Sequence, residues 1–273
     1  MFYKNARIFT SDFRFVNGAF EVRGGRFGAV LPETVPADAI DLKGATVIPG
    51  LVDVHSHGNS GADFSDGDYE GLKKMAAYYA SCGVTSFAPA SMTLPYDVLE
   101  KAFATAKQLK AEAPAGHARL MGIQMEGPYF SYKKRGAQNP DYLKEPDFEG
   151  FKALFEGCDG LVRIVDIAPE LPGAAEFVEK ASQLCTVSIA HTDSDYDHAR
   201  ASSPPEEPPW RTTSPTPTPT NRAPSTAAPR GCVERSGSTG GLHSHSRKKQ
   251  DTQAVDRMDQ RIKPPPKTFR ASR

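Results

Sequence analysis

The sequence predicts an α/β fold in which alternating strands and helices build part of a (β/α)8 barrel. Three observations lead to this prediction. Residues 48–200 alternate strand and helix patterns, residues 1–47 contain only short strand patterns, and residues 201–273 lose both patterns. Parallel strands need a crossover between them, so regular strand–helix alternation is typical of a parallel sheet or barrel. We therefore expect about five of eight barrel strands, a partial N-terminal β-sandwich and a disordered C-terminal tail.

The first 47 residues read as a small β unit. The stretches "ARIFT", "FRFVNGAFEV" and "GRFGAV" alternate apolar with polar residues, and Asn17-Gly18 is a turn signal between them. A unit of about 45 residues buries too little apolar surface to fold alone. We therefore expect it to be only part of a β-sandwich.

From residue 46 onward the pattern alternates between strand and helix. Asp68 is placed to cap a helix, and Gly83 is placed to stop it. Five strand candidates and four helix candidates follow one another, which favours parallel pairing of the strands. The strand candidates are 46–57, 84–91, 118–126, 161–170 and 186–193, and the helix candidates are 69–83, 96–112, 148–156 and 173–184.

The last 73 residues have a different composition. They hold 13 Lys/Arg against 6 Asp/Glu and 12 of the 23 prolines, but only five Val, Ile, Leu or Phe. So few apolar side chains cannot offset the entropy of the chain, and "PTPTPT" favours extended polyproline II backbone. We expect disorder here. The change near residue 200 suggests out-of-frame translation, with a natural truncation and an appended tail as the competing explanation.

Composition also argues against several protein classes. The N-terminus has no apolar signal-peptide core, and no run approaches the roughly 18 apolar residues of a membrane span. The four cysteines form no C-x-x-C pair, as expected of reduced thiols. The basic tail lacks interleaved aromatic residues, since Trp210 and Phe269 are far apart, so nucleic acid is not an expected partner. A cytoplasmic protein without a membrane partner is predicted.

Three strand candidates carry a ligand-capable residue where they end. His55 and His57 are two apart, so both imidazoles leave the same face of a strand. Glu126 precedes Gly-Pro, and His191 closes the last strand candidate. The carboxyl ends of barrel strands are where active sites assemble, and imidazole with carboxylate suits a borderline cation such as Zn²⁺ or Fe²⁺. The sequence therefore predicts a metal site.

A basic, glycine-containing stretch, "SYKKRGAQNP" at residues 131–140, follows Glu126. Two interpretations are open at this point: a solvated loop, or a loop that faces an anion or a sugar beside the metal site.

The motifs "IPGLVDVHSHG", "TSFAPASMT", "GIQMEGPYFSYKKRGAQNP", "DIAPE" and "AHTDSDY" resemble, in this order, the N-acetylglucosamine-6-phosphate deacetylases of the amidohydrolase superfamily. The resemblance covers about residues 1–200 and implies a cytoplasmic, commonly homodimeric hydrolase that removes acetate from an amino-sugar phosphate. It implies a (β/α)8 barrel with one or two divalent ions. By resemblance Glu126 and His191 match metal ligands, and His55 and His57 match a further metal position. Ala137 and Gln138 match the substrate loop.

The resemblance stops before two family features. A further ligand histidine is expected about twenty residues after His191, where this chain has Thr212 and Thr213. The general-base aspartate belongs on the last barrel strand, so no catalytic residue is assigned and negligible turnover is expected. Two alternatives stay open: another amidohydrolase acting on an amide or cyclic amide, and a non-catalytic fragment or binding module.

Overall fold

A computed structural model describes residues 1–31, 35–195, 199 and 210–212. The chain divides into two compact units, one formed by Met1–Leu51 and one that begins at Val52. Among the described helices, none combines the length and the apolar character that crossing a bilayer requires.

The N-terminal unit is one four-stranded sheet in the order β3-β2-β1-β4. The pairs β1–β2 and β2–β3 are antiparallel, whereas β1 and β4 are parallel. The buried side chains Tyr3, Phe20 and Leu42 pack on one another, with the rings of Tyr3 and Phe20 stacked at 4.9 Å between centroids. The strands are β1 (Phe2–Phe9), β2 (Phe15–Arg23), β3 (Arg26–Leu31) and β4 (Ile40–Val47).

The second unit alternates strands with helices, as the sequence predicts. Its elements are β5 (Leu51–Asp53), β6 (Gly58–Asn59), β7 (Ala62–Asp63), α1 (Tyr69–Ser81), β8 (Val84–Phe87), α2 (Tyr96–Glu112), β9 (Arg119–Leu120), β10 (Ile123–Tyr129), α3 (Phe148–Gly157), β11 (Val162–Ile167), α4 (Ala174–Ala181), β12 (Thr186–Ile189) and β13 (Trp210–Thr212). Short 3-10 helices lie at Phe64–Asp66, Tyr132–Lys134 and Pro140–Tyr142.

The longer strands of this unit form two sheets, ordered β5-β8-β9 and β10-β11-β12-β13. The pairs that run from β8 to β9 and from β10 through to β13 are parallel. A parallel bridge between Ala90 and Gln124 links the segment after β8 to β10. The α/β class with parallel pairing is confirmed.

Two predicted strands are divided in the structure. The candidate 46–57 is split between β4 and β5, because Val47 pairs with Ile8 in the N-terminal sheet while Pro49 has no N–H to continue a ladder. The candidate 118–126 is broken at residues 121–122. There a Cβ on Gly122 would lie 2.2 Å from the Arg163 side chain, so only glycine fits between the neighbouring strands.

The sequence did not predict β13. Its backbone pairs in parallel with β12, with Trp210 opposite Val187 and Thr212 opposite Ile189. A three-residue strand carries little propensity of its own, so its pairing depends on the edge that β12 presents. Of the predicted tail, residues 210–212 are described and form this strand, and the rest lies outside the described residues.

The helices begin and end much as their capping residues predict. Asp68 accepts hydrogen bonds from the backbone N–H groups of Glu70 and Gly71 at the start of α1, each at 3.1 Å. Apolar faces of α1 and α2 cover the sheet through Leu72, Met75 and Phe103 among others, all fully buried. The core of this unit thereby holds the carboxyl ends of its strands in fixed positions.

Candidate metal centre

Three of the predicted side chains, all imidazoles, converge on the carboxylate of the fourth, Glu126. His57 Nε2 lies 2.9 Å from Glu126 Oε2, and His191 Nε2 lies 2.9 Å from Glu126 Oε1. His55 Nε2 lies 3.8 Å from the same Oε1. The ligand-capable atoms of His55, His57 and Glu126 all lie within 4.8 Å of one another. Three chain segments thus bring together the residues that the sequence singled out.

His55 and His57 follow β5 rather than lying within it, which corrects the prediction that they sit on the strand. The segment nevertheless stays paired with its neighbour, because Ala88 N donates to Asp53 O at 2.8 Å and Ala90 N donates to Ser56 O at 3.0 Å. Because of this pairing, the two-residue spacing still places both imidazoles on the same side of the segment. The two imidazole rings lie 5.4 Å apart between centroids and both reach Glu126.

Glu126 does not end its strand, which corrects a second expectation. β10 runs on through Gly127 and Pro128, with an irregular register against β11 between Met125 and Tyr129. Gly127 has a φ of +90°, and a Cβ there would lie 2.1 Å from Thr93 Oγ1. Glycine is therefore required after Glu126, because its conformation lets the strand bend as it passes the site.

His191 lies two residues beyond β12 with a φ of +48°, a left-handed conformation that is uncommon for a histidine. Its Nδ1 is 2.9 Å from the Lys134 carbonyl oxygen, and its backbone carbonyl accepts from Ser131 N at 3.1 Å. The ring also packs on Phe130, 4.4 Å between centroids. The loop after Glu126 therefore fixes the orientation of His191.

The electrostatics of the cluster favour a negative charge on Glu126 and positive charges on the histidines beside it. Burial raises the pKa of the Glu126 carboxyl, but the hydrogen bonds from His191 and His57 outweigh it and hold that pKa well below its usual range. The pKa values of His57 and His191 are both raised, since the Glu126 carboxylate outweighs the effect of burial on each imidazole. A buried anion of this kind attracts positive charge to the position between the imidazoles.

The hydrogen bonds at the far side of each ring set its tautomer. Nδ1 of His57 is 3.1 Å from the Ala90 carbonyl oxygen, as Nδ1 of His191 is from that of Lys134 at 2.9 Å. Each Nδ1 must carry the proton because a carbonyl oxygen only accepts, so each neutral ring turns the lone pair of Nε2 toward the carboxylate. An Nε2 lone pair and a carboxylate oxygen are both acceptors, so their separation of 2.9 Å requires a proton or a cation between them. This donor set of imidazole nitrogens and carboxylate oxygen fits Zn²⁺ or Fe²⁺.

Sequence reasoning missed two residues behind the site. Gln124 and Asp166 are completely buried, and the amide of Gln124 bridges His55 and Asp166. The signal was present in both cases. Gln124 lies two residues before Glu126 on one strand face, and Asp166 is a charged residue inside the apolar strand "VRIVDI".

The loop that contains Ala137 and Gln138 borders the cluster. A Cβ on Gly136 would lie 3.6 Å from the His191 ring, which places this backbone against the histidine. Ala137 is exposed, whereas Gln138 is buried and its side-chain oxygen accepts from Thr93 N at 2.8 Å. The interpretation of residues 131–140 as a substrate-facing loop stays a prediction.

The two lysines of this loop form ion pairs with a nearby carboxylate. Asp193 accepts from Lys133 Nζ at 3.0 Å and lies 3.3 Å from Lys134 Nζ, and both lysines lower the pKa of the Asp193 carboxyl. These ion pairs join the loop to the segment that follows His191.

Comparisons with known proteins agree on one group of relatives. No protein-family model matches the chain. It is 32% identical over 166 residues to an N-acetylglucosamine-6-phosphate deacetylase of Vibrio furnissii, covering 60% of this chain and 41% of that protein. It is 30% identical over 205 residues to the Bacillus subtilis protein of the same name, covering 70% and 50%. The chain thus spans about half the length of the curated relatives it matches.

Solved structures give the same result. The N-acetyl-D-glucosamine-6-phosphate deacetylase of Mycobacterium smegmatis matches with a TM-score of 0.66 and 28% identity, over 74% of this chain and 53% of that one. A mutant of the same protein, in complex with N-acetyl-D-glucosamine-6-phosphate, matches with the same TM-score and identity, over 74% and 52%.

Proposed function

We propose that this chain, which is similar to N-acetylglucosamine-6-phosphate deacetylases over about its first 200 residues, carries the metal-binding part of such a hydrolase site. The reaction it would serve is hydrolysis of the acetamide of N-acetylglucosamine 6-phosphate to glucosamine 6-phosphate and acetate. The observation that carries the proposal is the convergence of His55, His57 and His191 on the buried carboxylate of Glu126.

The four residues would hold one or two divalent ions, with Zn²⁺ or Fe²⁺ favoured by their donor atoms. When bound, such an ion lowers the pKa of a water and polarises an amide carbonyl. The protein's own part is to present Nε2 lone pairs and one carboxylate from fixed positions. The carbonyl oxygens of Ala90 and Lys134 keep the protons of His57 and His191 on the far side of each ring.

The loop of Ala137 and Gln138 is the proposed substrate contact. Its backbone at Gly136 lies against the His191 ring, and the buried side chain of Gln138 ties the loop to Thr93. A relative with a similar fold was solved with N-acetyl-D-glucosamine-6-phosphate bound, which supports an amino-sugar phosphate as the small-molecule partner. A cytoplasmic location and a homodimeric state belong to the same proposal.

Metal binding tests the site itself. The purified chain is stripped of metal and titrated with Zn²⁺ or Fe²⁺ by calorimetry, beside Glu126→Gln and the exposed control Glu100→Gln. We expect the control to bind like the parent chain. Glu126→Gln should bind at least about 100-fold more weakly, because it removes the one anion of the site. Equal affinity in all three proteins would refute the metal site.

Turnover separates the functional alternatives. In the related deacetylases the general-base aspartate lies on the final barrel strand, beyond the part of this chain that resembles them. We therefore expect metal and N-acetylglucosamine 6-phosphate to bind while acetate release stays negligible. Release at a rate typical of an enzyme would overturn that expectation. Hydrolysis of a cyclic amide would instead favour another amidohydrolase, and binding of neither metal nor sugar phosphate would favour a non-catalytic fragment.

A further inference from the structure

A row of buried polar side chains crosses the parallel sheet and ends at His55. Gln124 on β10, Asp166 on β11 and Ser188 on β12 each have no exposed surface. Asp166 lies opposite Ser188 in the β11–β12 ladder, and a side-chain hydrogen bond joins the two. Gln124 Nε2 donates to Asp166 Oδ2 at 2.6 Å, and Gln124 Oε1 lies 2.9 Å from His55 Nδ1. Three adjacent strands therefore contribute one residue each to a continuous chain of hydrogen bonds.

The direction of these hydrogen bonds follows from the chemistry of the amide. A carboxylate only accepts, so Asp166 must face the NH₂ end of the Gln124 side chain. The oxygen end of the same amide then faces His55 and can only accept. The His55 Nδ1 must donate, which leaves the Nε2 of the neutral ring without a proton. A reversed amide would place its oxygen against the Asp166 carboxylate, which is unfavourable in a dry interior.

We propose that Ser188, Asp166 and Gln124 are positioning residues that hold His55 in the tautomer protonated on Nδ1, so that its Nε2 lone pair is directed toward Glu126. The inference rests on the proposed metal site and deepens it. His57 and His191 are each held in this tautomer by a hydrogen bond from Nδ1 to a backbone carbonyl oxygen, which no side-chain substitution removes. The Nδ1 of His55 is instead held by side chains, so its tautomer depends on the identity of residues on three other strands.

The tautomer can be measured in the metal-free protein. Histidine labelled with ¹⁵N reports the protonated nitrogen by its chemical shift and its couplings to ring protons. The His55 signals are assigned by their loss in His55→Asn. In a spectrum recorded at a pH of about 9, we expect the proton on His55 Nδ1, which faces Gln124 Oε1. A proton on Nε2, or an even mixture, would overturn the proposal without any further variant.

Two substitutions test the row itself. Gln124→Met keeps the length of the side chain but removes both of its hydrogen bonds. Asp166→Asn keeps the shape of the carboxyl group but can face either end of the Gln124 amide. We expect both to shift His55 toward a mixture of tautomers and to weaken metal binding by about 10- to 100-fold, as loss of an orienting partner does elsewhere. Gln108→Met, the same change on the exposed side of α2, is the matched control and should alter neither quantity.

The two proposals fail in different ways. If the parent chain binds no metal but Gln124→Met changes the His55 tautomer, the metal site is wrong and the positioning row stands. If the parent chain binds metal and Gln124→Met keeps both the Nδ1 tautomer and the affinity, the row has no positioning role. A far-ultraviolet circular dichroism spectrum equal to that of the parent chain shows that each variant is folded. Should Gln124→Met be unfolded, the tautomer of the parent chain and of Asp166→Asn decides the matter.

Discussion

His191 combines a ligand-capable side chain with an unusual backbone. Its left-handed φ of +48° costs a non-glycine residue about 1 kcal/mol or more, and contacts from Ser131, Lys134 and Phe130 hold it in place. Strain of this kind persists where the neighbouring structure requires it, and the requirement here is to bring Nε2 to Glu126. The conformation therefore supports a functional role more directly than the presence of a histidine does.

Two substitutions at this position test the backbone strain. We expect His191→Gly to be more stable to urea than His191→Ala by about 1 kcal/mol in the metal-free protein, because glycine adopts positive φ without strain. Both variants lose the same imidazole contacts, so their difference isolates the backbone. At the exposed helical residue Ala153, replacement by glycine should instead lower the stability by about 1 kcal/mol. If His191→Gly is instead less stable than His191→Ala by the same margin as in the Ala153 control, the residue is unstrained.

Asp166 is the most deeply buried ionisable residue near the site. Its contribution to the free energy of unfolding depends on pH. Burial, helped by the nearby Glu126 charge, raises the pKa of its carboxyl to about 6. Between pH 4 and 6 the folded protein therefore binds more protons here than the unfolded chain, and this residue makes stability fall as pH rises. Near neutral pH the ionised carboxyl group is therefore less favourable for folding than its protonated form.

We therefore expect Asp166→Asn to be more stable than the parent chain at pH 7 in urea unfolding. The gain should shrink as pH falls through 6 and vanish near pH 4. Glu176 offers a control of opposite sign, since its hydrogen bond to Lys180 lowers the pKa of the Glu176 carboxyl. Glu176→Gln should lose stability near neutral pH and approach the parent chain in acid. A deficit of Asp166→Asn that grows from pH 4 to pH 7 would mean that the carboxylate is favourable.

Among the elements, α1 shows how a local signal reaches the site. The helix begins where Asp68 satisfies two backbone N–H groups, and its buried face places Met75, Ala76 and Tyr79 in the core. The backbone carbonyl of Ala76 in turn accepts from Ala118 N at 2.9 Å, just before β9. A helix that begins at the correct residue therefore also sets the start of the strand region that leads to Gln124 and Glu126.

Removal of this cap should be measurable. Asp68→Ala is expected to lower the free energy of unfolding by about 1 kcal/mol and the melting temperature by about 2–4 °C. Asp68→Asn keeps an oxygen that accepts from the same N–H groups and should stay within about 0.5 kcal/mol of the parent chain. Thermal unfolding followed by circular dichroism distinguishes the two. An equal loss in both variants would assign the effect to charge rather than to capping.

On the scale of the whole molecule, metal binding and folding should be coupled. The ligand-capable side chains come from residues as far apart in sequence as His55 and His191, so the unfolded chain cannot present them together. An ion that binds only the folded state stabilises it by about 2.7 kcal/mol at a free concentration of 100 times its dissociation constant.

Metal removal should accordingly lower the melting temperature. We expect a chelator to destabilise the parent chain and an excess of Zn²⁺ to reverse the effect, as followed by thermal unfolding. Glu126→Gln should respond much less to either addition, whereas the exposed control Glu100→Gln should behave like the parent chain. If Glu126→Gln gains as much stability from Zn²⁺ as the parent chain does, the ion binds at a different place.

Much of the fold was predictable because it depends on short-range signals. Capping by Asp68, the apolar spacing of α1 and the alternation of strand with helix are local, and these elements were predicted close to their observed bounds. The errors occur where pairing with a distant strand determines the secondary structure. β13 depends on the edge of β12, and the division of 46–57 depends on the pairing of Val47 with Ile8. Neither partner can be read from the neighbouring sequence.

By itself, the sequence determined the elements and the candidate ligands, because residue type, spacing and strand-end position are written along the chain. Glu126, His191 and the His55–His57 pair were found in this way. Only the tertiary structure decided that they meet around one carboxylate, and that Gln124 and Asp166 stand behind His55. The reason is physical: parallel pairing of strands distant in sequence sets those distances, and no local pattern encodes a distance between two strands.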